Sequence, residues 1–494
     1  MSATSRGAGP GEPGRIVIVG AGMAGLYCGW RLLKSGYPAH SLRIFDALDR
    51  HGGRVHTVSW DGDPAVRLDL GAHVISDGHR IAHGLVSHFG LATAPVGTSQ
   101  DTAILHLRGR TRGEREVRRS YFRKAFAYDA GWRWLRRSPR RMLKDALQAH
   151  ELPGSGRGGV PAYSKELSGQ ALDAVLRQRL TAEELRYLSD RLGYSVGEAS
   201  VNAGTTLDWL WTEMFGGRYV TIAGGMSELT AALAASMSEH GVTIGTGHRL
   251  DRFEAGRDGA PSTLHFRVDG VDRRSVETER TILAMPPGGL KPVEGVADLP
   301  AVKELFGAIT PWPLVTGGII FDEPWWQAGK LAGDRAISDL PIGQLFLAST
   351  DARAGRSTGV GVAKAYAEGQ RTAYWRAFSR DAAPGKWRGP GDPLAAEVSR
   401  QMGQVLGRGV SGSVPEPLDV CLQDWQEFPF GAGFHLWSSG SHPDKAFNTA
   451  LKPMPDCELH ICGEAWSRRQ AWMEGALESS EALLERHFGL LRCK

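Results

Sequence analysis

The stretch RIVIVGAGMAGLYCGW, Arg15 to Trp30, constrains the fold more than any other in this chain. Ile16 to Val19 is a continuous apolar, β-branched run, the pattern of a strand buried on both faces of a parallel sheet. Gly20, Gly22 and Gly25 follow at G-x-G-x-x-G spacing, with Met23 and Ala24 inside the turn and a helix-like run from Leu26 to Leu33 behind it. The first glycine allows a tight turn, the second lets backbone approach a pyrophosphate, and the third lets helix pack closely on strand. The helix N-terminus then offers free N–H groups and a positive dipole end to the anion. With 64 glycines in the chain, an ordinary strand-to-helix turn is the rival reading of the spacing alone. The stretch LRIFDALDRHGGRVHT decides between them. A second strand, Leu42 to Phe45, ends on Asp46, roughly twenty residues past the glycines, where a carboxylate accepts ribose hydroxyls. An adenine dinucleotide is the ligand this pair of motifs predicts.

A chain of 494 residues exceeds one ordinary core, so about two or three domains are expected. A net charge of +4 is small for this length and does not call for nucleic acid. The five cysteines (Cys28, Cys421, Cys457, Cys462, Cys493) are odd in number and lack metal-ligand spacing, which predicts free thiols, no metal and a cytoplasmic setting. The N-terminal lead MSATSRGAGPGEPG is polar, without a signal core, and no run approaches eighteen apolar residues, so no membrane span is expected. Nothing in the sequence fixes the oligomeric state, and a homodimer stays open.

Residues 14–70 read as a first nucleotide-binding half, and the helical periodicity of 121–218 reads as an insertion. ELPGSGRGGVPAYS reads as a loop before the insertion's helices. The basic segment 108–144 has two readings: Arg stems lying over aromatics on a solvated surface, or a face for an acidic partner. No second G-x-G-x-x-G stands between a strand and a helix, which favours an oxidase over an enzyme that also binds a pyridine nucleotide.

Five short segments in order, GAGMAGL, DALDRHGGRVHT, LDLGAH, TIAGGMSEL and CGEAWSRRQAWMEGAL, resemble the FAD-dependent amine oxidases, the group of monoamine, polyamine and L-amino acid oxidases. FPFGAGFHLWSSG resembles most the bacterial L-amino acid oxidases. The resemblance implies an α/β fold: a Rossmann-like FAD-binding domain (14–70, completed by 219–290 and 456–494), a mixed α+β substrate domain (71–120 and 291–455) and the helical insertion. It assigns to the cofactor Ala47 beside Asp46, Arg50 and Arg54 on the diphosphate, Gly52 and Gly53 near the isoalloxazine, and Gly71, Ala72 and His73 of the LGAH segment. Further along, it assigns Leu250 at the adenine, Gly463 and Glu464 facing the ribityl chain, and Trp472, Met473 and Ala476 at a helix N-terminus beside the flavin. A helix N-terminus there stabilises negative charge on a reduced flavin. Trp472 matches one wall of the family's aromatic cage, with Trp437 or His435 as the other and His73 nearby.

Two departures from the family pattern matter. An arginine that grips the substrate carboxylate usually follows LGA, whereas this chain has His73 and Val74, leaving Arg80 as the nearest basic residue. The family's flavin-facing lysine maps to Thr316, ahead of IIFDEPWW. Lys291 or a protonated histidine is then the candidate replacement for its charge. The resemblance implies noncovalent FAD, since no cysteine stands where covalent members attach it, and oxidative deamination of an amine-bearing substrate with dioxygen. An L-amino acid stands ahead of a simple amine or polyamine, with a desaturase or monooxygenase on the same scaffold as the alternative.

Overall fold

Why the glycine turn sits where it does follows from the sheet beneath it. In the computed structural model, described for residues 15–96, 103–119, 125–147, 167–215, 217–256, 260–328, 333–349, 359–379, 384–407 and 414–492, the first strand is β1 (Ile16–Val19). After it come α1 (Met23–Lys34), β2 (Leu42–Phe45), β3 (Thr243–Gly245), β4 (Arg280–Leu283), β5 (Leu459–Ile461) and α2 (Met473–Phe488). The five strands form one parallel sheet in the order β3-β2-β1-β4-β5. β1 is buried along its whole length, as its unbroken apolar run requires. Helices α1 and α2 lie together over the sheet, burying Leu26, Leu477 and Leu484 with Ile18 and Ile44. Strands from the two ends of the chain therefore share one sheet, and both helices start at its carboxyl edge, where open α/β sheets bind ligands.

A second, seven-stranded sheet runs in the order Asp419–Asp424, Leu314–Phe321, Gly361–Glu368, Gln344–Ser349, Arg335–Ser338, Ile104–Leu107, Arg110–Gly113. Helices between 125 and 215 pack into the same core as this sheet, with Leu143, Leu188 and Leu207 buried beside Leu105, Leu107 and Ile337. The helices of the insertion and the seven-stranded sheet thus share one hydrophobic core. Thr181 starts one of its helices through a capping box with Glu184.

In the basic segment, Arg108 stacks 4.2 Å over Tyr128 and Arg137 4.9 Å over Trp134. Arg108 also pairs with Glu183, Arg137 with Asp145 and Arg191 with Glu114. Arg108 and Arg137 thus lie over aromatic rings, as the first of the two readings expects for these side chains. The N-terminal lead, the loop 151–164, residues 120–124 and Cys493 lie outside the described residues. The other four cysteines are free and buried. Among the described residues no helix is long and apolar enough to cross a membrane, and no cluster of side chains suits a metal.

Candidate active site

One elongated cavity runs from the carboxyl edge of the parallel sheet to a chamber between the two halves of the molecule. It is lined at one end by Val19, Asp46, Ala47 and Leu250, and at the other by Tyr366, Trp425 and Trp472. The glycine turn shapes its floor. Gly20 has φ +106°, and a Cβ on it would lie 2.4 Å from the Ala284 carbonyl oxygen, so only glycine fits the turn. Gly22 and Gly53 face each other across the cavity floor, with a Cβ on Gly53 only 3.3 Å from the Gly22 Cα. Gly20, Gly22, Met23 and Ala24 line the cavity, whereas Gly25 lies behind it, pressed against the Gly20 carbonyl. Asp46 accepts from Ala21 N at 2.6 Å and Leu48 N at 2.8 Å, bracing the glycine turn while lining the cavity. Burial holds its carboxyl above the ordinary value despite those two donors.

Arg54 and Glu464 form the central charged pair. Arg54 Nη1 donates to Glu464 Oε2 at 2.8 Å and to the Gly433 carbonyl at 3.0 Å. Glu464 also accepts from the amides of His435 (2.9 Å) and Ala471 (2.8 Å) and from His435 Nδ1 (3.0 Å). Burial alone would raise the Glu464 carboxyl, but the Arg54 charge and the His435 contacts hold it far below the usual carboxylate range. Burial pushes His435 down against the opposing pull of Glu464; its ring orients Glu464 and does not line the cavity.

Other expected residues fall on both sides of that line. Gly52, Gly53, Gly71, Ala72, His73, Leu250, Gly463, Trp472, Met473 and Ala476 all line the cavity. Arg50 instead donates to the carbonyls of His51 and Gly53 and holds its own loop. Trp437 is buried in the core beneath the parallel sheet and faces a separate cleft, so it is no cage wall. Thr316 is buried, donating to the Leu70 carbonyl at 2.7 Å and accepting from Trp425 Nε1 at 3.0 Å; it braces a wall residue without reaching the cavity. Lys291 is exposed over the Phe306 ring, and Arg80 is exposed at a helix start by the separate cleft. A different cation, buried Lys364, donates to the Gly71 carbonyl at 3.0 Å.

The chamber itself is aromatic. His73 stands 5.2 Å from Phe346, Phe346 6.4 Å from Tyr366, Tyr366 6.0 Å from Tyr194, and Tyr194 6.1 Å from Trp209. Tyr219 stacks on Trp472 at 6.2 Å and 14°. Behind Trp472 a polar row fixes its ring: buried His79 lies edge-on at 4.9 Å, its Nε2 meets buried Glu213 at 3.4 Å, and the partly exposed Arg469 pairs with Glu213 at 2.8 Å. Tyr194, Trp209, Tyr219, Arg335, Phe346 and Tyr366 were not singled out from the sequence. Their one sequence signal is aromatic richness across the insertion and the middle segment.

The cavity fits a flavin dinucleotide. Helices α1 and α2 both begin at it, and neither N-terminus carries a capping side chain, so their free N–H groups face the space an anion would occupy. A side chain at Gly22 or Gly53 would fill the gap between two chain segments. The sequence profile of flavin containing amine oxidoreductases matches residues 23–482. The chain belongs to this family.

Relatives of this amine oxidoreductase include Aplysianin-A of Aplysia kurodai, 24% identical over 96% of this chain and 90% of that protein. An L-amino-acid oxidase of Sistrurus catenatus edwardsii is 22% identical over 74% of this chain and 68% of its own. Among solved structures, putrescine oxidase bound to putrescine superposes with a TM-score of 0.69 over 97% of this chain and 99% of that one. At 15% identity that likeness is one of fold. The amine oxidoreductase is thus a flavin-dependent enzyme with an FAD-binding α/β fold.

Proposed function

We propose that the enzyme holds FAD noncovalently and oxidatively deaminates a small amine, an L-amino acid ahead of a simple amine, in the cytoplasm. In the overall reaction the amine-bearing carbon becomes an imine, which water converts to a carbonyl compound and ammonia, and dioxygen becomes hydrogen peroxide. FAD supplies the two-electron acceptor. Residues that fit it are Asp46 and Leu250 at the adenosine end, Arg54 and the start of α1 at the diphosphate, and Trp472, Met473 and Ala476 at the flavin.

The observation that carries this reading is the aromatic chamber continuous with the dinucleotide cradle. Rings of Tyr194, Trp209, Tyr219, Tyr366 and Trp472 exclude water, and desolvation disfavours an ammonium against the neutral amine that can be oxidised. Burial pushes the tyrosine hydroxyls of the chamber upward, so they stay protonated donors. No strong base is required from the protein, because loss of the ammonium proton is driven by desolvation. A polyamine is disfavoured on charge. Among the described residues the cavity's carboxylates are Asp46 and Glu464, both committed to the cradle, so nothing acidic waits for a second ammonium.

Two measurements test the reading. Anaerobic bleaching of the yellow protein by a panel of L-amino acids, monoamines and polyamines is expected to be fastest with an amino acid. Bleaching by none of them overturns the reading in favour of a desaturase or monooxygenase. Acid precipitation is expected to leave the flavin in the supernatant, since no described cysteine lines the cavity; flavin held in the pellet refutes noncovalent binding.

A further inference from the structure

Arg335 stands on the edge of the chamber with an incomplete set of partners. It lies on the strand Arg335–Ser338 directly opposite Phe346 of Gln344–Ser349, which places both side chains on the sheet face that looks at the site. Its guanidinium lies 5.6 Å over the Phe346 ring, and Phe346 in turn touches His73 and Tyr366. The side chain is only 3% exposed, yet it lines the cavity.

One edge of the fork is fixed. Nε donates to Gln344 Oε1 at 3.1 Å, and Nη2 shares the same oxygen and reaches the Leu192 carbonyl at 3.5 Å. Nη1 has no partner among the described residues, and no described carboxylate forms an ion pair with the group. The acid of this region, Glu368, is taken by the Ser195 hydroxyl at 2.9 Å and the Trp312 indole at 2.6 Å. A buried guanidinium without a counter-charge is costly, and a planar two-oxygen anion is its best geometric match.

We propose that Arg335 binds the α-carboxylate of the substrate, which makes the substrate class 2-amino carboxylates. The proposal rests on the amine-oxidising reading above and names the anchor that reading lacks. Gln344 presets the fork, Nη1 is left to donate to the carboxylate, and the Tyr194 and Tyr366 hydroxyls supply further donors. The expected arginine after LGA is then replaced by one from the seven-stranded sheet, where neither sequence proximity nor motif order would reveal it.

The test uses the flavin-loaded protein and a non-reactive probe, 3-phenylpropanoate, followed by quenching of tryptophan fluorescence. The wild type is expected to bind it on the order of 10- to 100-fold more tightly than the uncharged 3-phenylpropanamide, the scale of one charge-assisted hydrogen-bond pair. Arg335→Gln is expected to erase that preference and Arg335→Lys to keep part of it. In turnover, Arg335→Gln should lose far more kcat/KM for L-phenylalanine than for phenethylamine, so the ratio of the two falls. Equal wild-type affinity for acid and amide overturns the proposal without any variant, as does a preference that Arg335→Gln leaves intact. If the acid binds through Arg335 but no amine is oxidised, the oxidase reading fails and the carboxylate site stands. If amines are oxidised regardless of a carboxylate or of Arg335, the reverse holds.

Discussion

Glu464→Ala is expected to purify without flavin and to lose about 3–5 kcal/mol of stability, the cost of removing one partner from a buried ion pair. The carboxylate receives four donors: Arg54 Nη1, the His435 and Ala471 amides and His435 Nδ1. Alanine would leave Arg54 as a half-buried cation with only the Gly433 carbonyl, and two amides without acceptors. Those groups come from three segments, residues 54, 433–435 and 464–471, so the loss loosens the joint between the two halves around the cavity. Glu464→Gln keeps the shape and tests the charge alone; its deficit should be smaller and concentrated in flavin affinity.

The pH dependence has a definite sign. Glu464 sits below its unfolded value of 4.5, so its contribution is fully present above that pH and fades as pH falls through the depressed native value. The stability contributed by the Glu464 pair should therefore persist through mild acid. Thermal melting and absorbance at 450 nm or so, read across pH, check both claims. A Glu464→Ala protein with wild-type melting temperature and flavin content would remove the pair from its central place.

Much of the cradle was legible because its elements are local. The glycine turn, Asp46 at the end of β2 and the Trp472 helix start each announce themselves within a few residues, through strand-to-helix switches that fix backbone geometry. The chamber was not legible, because its walls come from strands and helices that meet only after the seven-stranded sheet forms. Tyr194 and Trp209 belong to a segment that reads as a mere insertion, and Arg335 and Phe346 face each other through strand pairing. Thr316 shows the other failure. Its position matches the family's lysine, yet its hydroxyl is locked between Leu70 and Trp425, while a lysine on the neighbouring strand, Lys364, reaches the Gly71 carbonyl. Position along one strand does not show which way a side chain is held: Thr316 is turned to Leu70 and Trp425, and Lys364 is on the adjacent strand, paired through Gly318.

Gly25→Ala is expected to cost about 1–3 kcal/mol or somewhat more through overpacking and to cut flavin affinity with it. A Cβ at Gly25 would stand 1.8 Å from the Gly20 carbonyl oxygen and 3.2 Å from Ile18 Cγ2. The closest atom is backbone, so no rotamer change can relieve the clash; α1 must lift from β1 or the turn must open. Either movement displaces Gly22 and the N-terminus of α1, the groups that fit the diphosphate. The stability loss and the affinity loss therefore have one cause, and they should scale together across Ala and Ser at this position. The control is Gly84→Ala, also within a helix, where a Cβ meets nothing within 4 Å. That change should be neutral or stabilising by about 0.5–1 kcal/mol, because alanine is the better helix former. Melting curves and flavin titration of both apoproteins read the contrast. Wild-type behaviour of Gly25→Ala would mean that the third glycine is a plain turn residue and that close helix–strand packing does not build this cradle.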